Sequence, residues 1–564
     1  MISDFKKLDE YQRIEASFSN GGEVGLRHLL KSHFEYAMLS HRWNDTETTK
    51  EPTYAFIKSA QDKGQNIYDM KEQFSNGKDR GENMRKLRSF CYTAAKCGFR
   101  WAWSDTCCIN KASRIEEEAS INSMFKWYSN SALTIVYLRD VVDVSPISRL
   151  GLHTSNSVHD FVAKYHAGSQ KAPILQYAQE QHAEEFVDTQ VDENALENLL
   201  KQYFPVFDGK SSPRPEWCVR CWTLPEMVAS RHLRFYCKTW KALEPASYPR
   251  ASRTKRFSDH RQSLLWQGAL SRSTGVDAEN LLHFKPGMMN VREKLHWASR
   301  REATRDEDLA YSLLGLFGIK MSVIYGEGLD AFVRLQEEIM KRTDDLSIFD
   351  FSGAVSGVNS CLAFSPSCYS EGPLERMERK MTLGRFFGGA LSVLGAVTPA
   401  LFDRFKTFLE SNSGLPSGHS LENGTITVSV FEHKVKLEKI ATRKYKYRAK
   451  TNGLSQTEFT TLEPLKLEDG PAYYLIRVYD RQVRRAIEIF ASHAMYWIKD
   501  KLDQGLVGRE EDRERARGFL EDPFVVYLMA RDGVSCRRVA TKSRIIVHYR
   551  AYRFSQAVRR RTLT

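Results

Sequence analysis

Short apolar runs alternate with amphipathic stretches through the first half of the chain. Glu35 to Ser40 (EYAMLS) is apolar and breaks into polar HRWND, the pattern of a buried strand passing into a loop. Residues 46–81 are polar, with several Gly and Asn, and read as an irregular loop. From Asn83 to Lys96, residues Met84, Leu87, Phe90, Cys91 and Ala94 recur at helical spacing, which predicts one apolar stripe, ended by Gly98. Phe99 to Trp103 reads as a second strand and Leu133 to Leu138 as a third. Between them, Ser113 and Glu116 have capping-box spacing ahead of a helix carrying Ile121, Met124, Phe125 and Tyr128. This alternation predicts an α/β domain built on a mainly parallel sheet with flanking helices.

Residues 141–215 read as a polar insertion holding one helix near Glu193 to Tyr203. Leu233 to Cys237 is a further strand, and residues 241–290 show no regular pattern. Two helices are predicted beyond them, Asp308 to Phe317 and Leu329 to Met340. After residue 350 the pattern changes to strands, at Asn423 to Lys439 and Tyr473 to Val478, in a mixed, β-containing C-terminal region. The organisation expected is therefore residues 1–240, a helical extension over 241–350, and a C-terminal region over 351–564.

Charge is distributed unevenly along this plan. Residues 351–564 hold 35 Lys and Arg against 23 Asp and Glu, whereas residues 1–350 hold 48 against 47. The C-terminal excess ends in Arg559, Arg560 and Arg561 and could meet nucleic acid or an acidic membrane. No nucleic-acid motif accompanies it, so a solvated basic surface is the plainer account. Phe386 to Phe402 is an uncharged run of 17 residues, short of the roughly 20 a span needs, and reads as buried helix or loop. The N-terminal residues show no signal-peptide core, which leads to a cytoplasmic expectation and to reduced thiols for the ten cysteines.

Strand ends are where a parallel sheet gathers functional groups. Ser40, Arg42, Trp43 and Asp45 follow the first strand, and Asp105 follows the second. The Asp residues also suit turns. A third segment, Trp217 to Glu226 (WCVRCWTLPE), places Glu226 three residues after Thr223, so its carboxylate either caps the Thr223 amide or stands at the mouth of a site between Trp217 and Trp222. Cys218 and Cys221 form a lone C-x-x-C without a second ligand pair, so no metal site is expected. Walker A, G-x-G-x-x-G, H-E-x-x-H and G-x-S-x-G motifs are absent, which excludes the common forms of P-loop, zincin and serine-hydrolase chemistry.

Tyr36 to Trp43 (YAMLSHRW), Trp103 to Asn110 (WSDTCCIN) and Arg220 to Glu226 (RCWTLPE) resemble three motifs of the fungal heterokaryon-incompatibility (HET) domain. Trp297 to Arg301, Glu307 to Phe317, Tyr325 to Gly328 and Asp345 to Ser347 resemble the signature that follows it. Departures occur at Asn110-Lys111, Pro225 and His41. HET domains are in turn similar to TIR domains, so the resemblance implies a TIR/flavodoxin-like fold and a cell-death factor acting through self-association. It also implies an unidentified upstream recognition partner and NAD as a possible substrate, with no bound cofactor. Glu226 would be the catalytic carboxylate, Trp43 or Trp222 would stack on a ring, and Arg42 would meet a phosphate. An assembly module without chemistry, in which Glu226 is only a helix cap, is the competing expectation.

Overall fold

A parallel sheet of four strands organises the first half of the computed structural model: β1 (Tyr36–His41), β2 (Trp101–Trp103), β3 (Leu133–Tyr137) and β4 (Leu233–Tyr236), in the order β2-β1-β3-β4. The structure describes residues 33–43, 51–67, 81–142, 193–204, 215–243, 259–372, 419–422, 425–440, 445–451, 454–468, 470–478, 524–532, 535–547 and 559–563. These residues form two compact units. The first is drawn from residues up to 286 together with 301–304 and 311–323, and the second from 287–300, 305–310 and residues from 324 onward.

In the first unit, β1 and β3 are buried along nearly their whole length, as strands covered on both faces must be. Side chains alternate between the faces. Ala37 and Leu39 join Leu133 and Ile135 against Leu87, Phe90 and Ala94 of α2 (Gly81–Lys96). Met38 faces the other way, against Ile109 and against Met124 and Tyr128 of α4 (Arg114–Asn130). Between these helices lies the four-residue α3 (Asp105–Cys108). Ahead of them, α1 (Tyr54–Asp62) is capped by Thr53, whose hydroxyl accepts from the Phe56 amide. That helix corrects the loop reading of residues 46–81, since Thr53 supplies a stop and start the polar composition hides.

Helix α5 (Glu193–Tyr203) is the one described element between 143 and 214. After it come α6 (Glu216–Val219), α7 (Thr223–Ala229), α8 (Leu264–Thr274) and α9 (Ala278–His283). The last two correct the irregular reading of 241–290. The buried face of α8 holds Trp266, Ala269, Leu270, Ser273 and Thr274, and its two hydroxyls mask the apolar stripe. Strand β2 is shorter than expected because Phe99 is taken by the turn that ends α2, its amide donating to Ala94 O at 2.9 Å. The helix expected over 308–317 is instead two short pieces, Asp308–Tyr311 and Leu314–Phe317. The second is laid so closely on α4 that a Cβ on Gly315 would come 2.2 Å from Phe125 Cβ.

The second unit contains α10 (Val291–Ala298), α11 (Asp330–Met340) and antiparallel strands. Its larger sheet runs β12-β11-β10-β6-β14, with β13 on β11 and β5 on β6, and a smaller sheet runs β7-β8-β9. These are β5 (His419–Glu422), β6 (Thr425–Lys434), β7 (Lys436–Lys439), β8 (Lys446–Lys450), β9 (Thr457–Thr460), β10 (Ala472–Val478), β11 (Phe524–Asp532), β12 (Ser535–Arg538), β13 (Ile545–Val547) and β14 (Arg559–Leu563). The single strand expected over 423–439 divides at Val435, where the chain passes from one sheet to the other. Val435, Tyr447, Phe459, Leu475, Val526 and Leu528 form the shared core. Glu307 accepts from the amides of Gly326 (2.7 Å) and Gly328 (2.9 Å), both at positive φ, so the Tyr325–Gly328 turn is locked by one carboxylate. Among the described residues no helix is long and apolar enough to cross a membrane. Residues 386–402 lie outside the described part.

Candidate functional site at the carboxyl end of the parallel sheet

The strand order reverses direction between β1 and β3, which is the crevice where open α/β sheets hold ligands. β1 ends there with Ser40 and His41 in succession, and consecutive strand residues point to opposite faces. Ser40 shares a face with Met38 and meets Trp217 of α6 and Glu226 of α7. His41 shares the other and meets α2 and α3.

On the Ser40 face the geometry is a directed chain of hydrogen bonds. The indole N–H of Trp217 donates to Ser40 Oγ at 2.7 Å, and Ser40 donates in turn to the Glu226 carboxyl group. Glu226 is also hydrogen-bonded to the Tyr128 hydroxyl, which donates its single proton to Leu39 O at 2.9 Å. The Tyr128 hydroxyl thus stands between two acceptors, Leu39 O and the Glu226 carboxyl group. Glu226 is 6% exposed. Burial pushes its carboxyl well above the usual carboxylate range, against the pull of the Ser40 hydrogen bond, and the charge of Asp105 adds to the rise.

Helix α7 places Glu226 by being fastened at both ends. At its start, Thr223 donates its hydroxyl to Arg220 O at 2.9 Å and accepts from Arg301 Nη1 at 3.0 Å. At its end, Arg261 donates to Met227 O (3.0 Å) and Ser230 O (2.7 Å) while paired with Asp259 at 2.9 Å. The expected capping of the Thr223 amide by Glu226 is not what forms. The carboxylate turns to Ser40 and Tyr128, and the position before Thr223 is Trp222, which gives no side-chain cap.

On the His41 face, Asp105 is the centre. Its Oδ2 accepts from Trp43 Nε1 at 2.7 Å and its Oδ1 faces His41 Nε2 at 3.3 Å. Burial alone would raise the Asp105 carboxyl. The hydrogen bond and charge of His41, the charge of Lys111 and the bond from Trp43 together hold it below the usual value. Glu51 lies 3.9 Å from His41 Nδ1 and pairs with the ammonium of Lys86, a buried lysine on α2. Burial lowers the Lys86 ammonium despite that pairing.

Ser40, Glu226, Trp43 and Asp105 thus gather at one sheet end, on its two faces. Arg42 stands at the same end, with Nη1 3.7 Å from Glu216, which also pairs with Arg139 at 2.5 Å. One face of the Trp43 ring is covered by Lys111 Nζ, 3.2 Å from the centroid. Trp222 is half-buried against the cluster of Met38, Ile109, Met124 and Tyr128 rather than open to the crevice. Asp45 lies outside the described residues. Glu51 and Lys86 are site members that the sequence pattern does not single out, whereas His41, Trp217 and Tyr128 stand in the motif segments and the helix stripe with no site role assigned to them. Among the described residues no cluster of three His, Cys, Asp or Glu is placed to hold a metal ion.

The family model described as Heterokaryon incompatibility protein (HET) matches residues 36–226. Vegetative incompatibility protein HET-E-1 of Podospora anserina is 27% identical over 307 residues, covering 54% of this chain and 16% of that protein. The chain therefore spans about one sixth of the length of that curated relative. No solved structure matches. The matched segment opens on the first residue of β1 and closes on Glu226, so the part of the chain that is similar to the heterokaryon-incompatibility (HET) family contains the Ser40–Glu226 hydrogen bond.

Proposed function

We propose that the chain acts in heterokaryon incompatibility by cleaving the bond between nicotinamide and ribose in NAD, with Glu226 as the catalytic carboxylate and self-association as the trigger. The incompatibility role rests on the HET domain and on the name of the relative. The order β2-β1-β3-β4 supports a flavodoxin-like, TIR-like reading of the sheet, because it is the succession expected of that topology.

One observation carries the chemistry: a glutamate side chain buried at the strand-order reversal and hydrogen-bonded to Ser40, its carboxyl pushed above the usual carboxylate range by that burial. The nicotinamide ring of NAD is a cation. Brought beside Glu226, it draws the carboxyl toward its ionised form, the proton passing to solvent. As the C1′–N bond breaks, the electron pair leaves with nicotinamide and positive charge moves to the ribose, where the carboxylate stabilises it. Water then adds to C1′ and its proton goes to solvent. Asp105 orients Trp43 for stacking on a ring, and Arg42 and Lys111 supply charge for the phosphates. NAD is the substrate in this scheme, not a bound cofactor.

The test is the NAD level over time in cells expressing the full chain beside its Glu226→Gln variant. NAD loss that depends on Glu226 supports the reading, whereas death with NAD unchanged overturns it. The burial of Glu226 and its two side-chain partners favour one second reading, an assembly module whose buried polar network only fixes the fold. Full toxicity of the Gln variant selects that reading. In both, the partner on activation is a second copy of the chain and an upstream recognition protein sets the trigger.

A further inference from the structure

The helix that begins at Asp105 ends in two adjacent thiols that the proposed chemistry does not use. Cys107 and Cys108 Sγ atoms lie 4.0 Å apart. Cys108 is exposed, and Cys107 is partly buried against the core beneath α2. The Ser104 amide N–H points at Cys108 Sγ at 3.5 Å, while Cys107 Sγ lies 3.8 Å from Ser104 O. The Ser104 amide therefore donates to the outer sulfur, and the single Cys107 proton can be given to Ser104 O or to Cys108 Sγ. Donation from Cys107, helped by the Ser104 amide, holds the Cys108 thiol below its usual range against burial and the Asp105 charge; the same bond, together with burial, pushes Cys107 up. By contrast, burial raises the Cys91 and Cys361 thiols to about 12.

We infer that Cys107 and Cys108 form a hydroperoxide-reactive pair on α3, with Cys108 as the attacking thiolate and Cys107 as the resolving thiol. The thiolate is the nucleophilic form of cysteine, and here it is also the accessible one. In the first step Cys108 sulfur attacks one peroxide oxygen. An S–O bond forms, the O–O bond breaks, and the alkoxide or hydroxide leaves and is protonated by solvent. Sulfur is oxidised by two electrons and the peroxide is reduced by two. In the second step Cys107 sulfur attacks the sulfenic acid, gives up its proton, and water departs as the disulfide closes.

Adjacent Cα atoms stand about 3.8 Å apart across a trans peptide, below the roughly 4.4 Å minimum usual for disulfides. The bond can close only if α3 distorts. Disulfides under such strain are readily reduced, which suits a reversible switch more than a permanent staple. Distortion of α3 moves Asp105, so oxidation also loosens the hydrogen bonds to Trp43 and His41. The inference holds whether or not Glu226 cleaves NAD.

The test uses the full reduced chain, treated with hydrogen peroxide, alkylated and digested with trypsin, with mass analysis of the peptide running from Trp101 to Lys111. The expected result is loss of two hydrogens from that peptide, resistance to alkylation, and reversal by dithiothreitol. Cys107→Ser should stop at a sulfenic acid on residue 108 that dimedone captures. Cys108→Ser should leave Cys107 free for alkylation. Before oxidation, Cys108 should alkylate at least tenfold faster than Cys91, whose thiol burial raises to about 12. Circular dichroism of each variant checks the fold. A peptide that stays reduced while other thiols oxidise overturns the inference. So does a crosslink from Cys108 to Cys91, or a Cys107→Ser chain that dimedone does not label at residue 108.

Discussion

Trp217 and Ser40, separated by 177 positions in the chain, are joined by an indole N–H donated to a hydroxyl oxygen at 2.7 Å. Both groups are buried, so neither has water to fall back on. Trp217→Phe should leave Ser40 with one fewer donor and cost about 1–3 kcal/mol. Urea unfolding of the variant should show a lower midpoint with an unchanged slope. Ser40→Ala in the same background should cost less than it does alone, since the pair is one network. Additive costs would show that the two act independently.

Glu226→Gln should be at least as stable as the natural chain at neutral pH. The folded-state pKa of Glu226 is raised above its unfolded value of about 4.3, so the native state retains a proton that the unfolded chain releases. Stability from this group is fully present below pH 4 or so and declines as pH rises toward the folded value. Gln accepts from Ser40 as the acid does and carries no charge at any pH. The advantage of the variant in thermal unfolding should therefore grow from about pH 4 to pH 7. A variant advantage that shrinks over this range would place the carboxyl in its ionised form.

Asp105→Asn should behave in the opposite sense. The Asp105 carboxyl is held below its unfolded value of about 3.9, so it contributes stability at higher pH that is lost as pH falls through the folded value. At neutral pH the substitution should cost about 1–3 kcal/mol through the weakened bonds from Trp43 and His41. The gap between the two chains should close as the pH falls below about 4. A gap constant with pH would assign the loss to shape alone.

Arg261→Met should be among the most damaging single changes outside the site, because it strands the Asp259 carboxylate in the interior. Loss of one partner from a buried pair costs about 3–5 kcal/mol. The double change Asp259→Asn with Arg261→Met should recover part of that in a thermal melt. It should not restore any Glu226-dependent activity, because the carbonyls of Met227 and Ser230 still lack their donor. Full recovery of both would show that Arg261 fixes the fold without positioning α7.

Much of the sheet was legible in the sequence, because β1 and β3 are buried over nearly every residue and so read as unbroken apolar runs. The stripe of α2 was legible for the same reason, with Met84, Leu87, Phe90 and Ala94 all buried. Where buried faces carry polar groups, the pattern fails. Helix α8 hides Ser273 and Thr274, and the helix expected over 308–317 breaks at Ser312 and Leu313, between its two short pieces. At the site, strand-end position alone singles out Ser40, Arg42, Trp43 and Asp105. It could not foresee that Glu226 would turn from its own helix to a serine and a tyrosine on other elements. Local spacing is blind to such partners, 186 positions away in the case of Ser40.

Ser40 and His41 are neighbours on one strand, yet each serves the polar cluster on a different face of the parallel sheet. A deletion or insertion of one residue within β1 would exchange their directions, sending an imidazole toward Glu226 and a hydroxyl toward Asp105. Both clusters would fail in one event. The strand should therefore tolerate changes of side chain far better than changes of length, and natural variation in this domain is expected to accumulate gaps in its loops while β1 keeps its count.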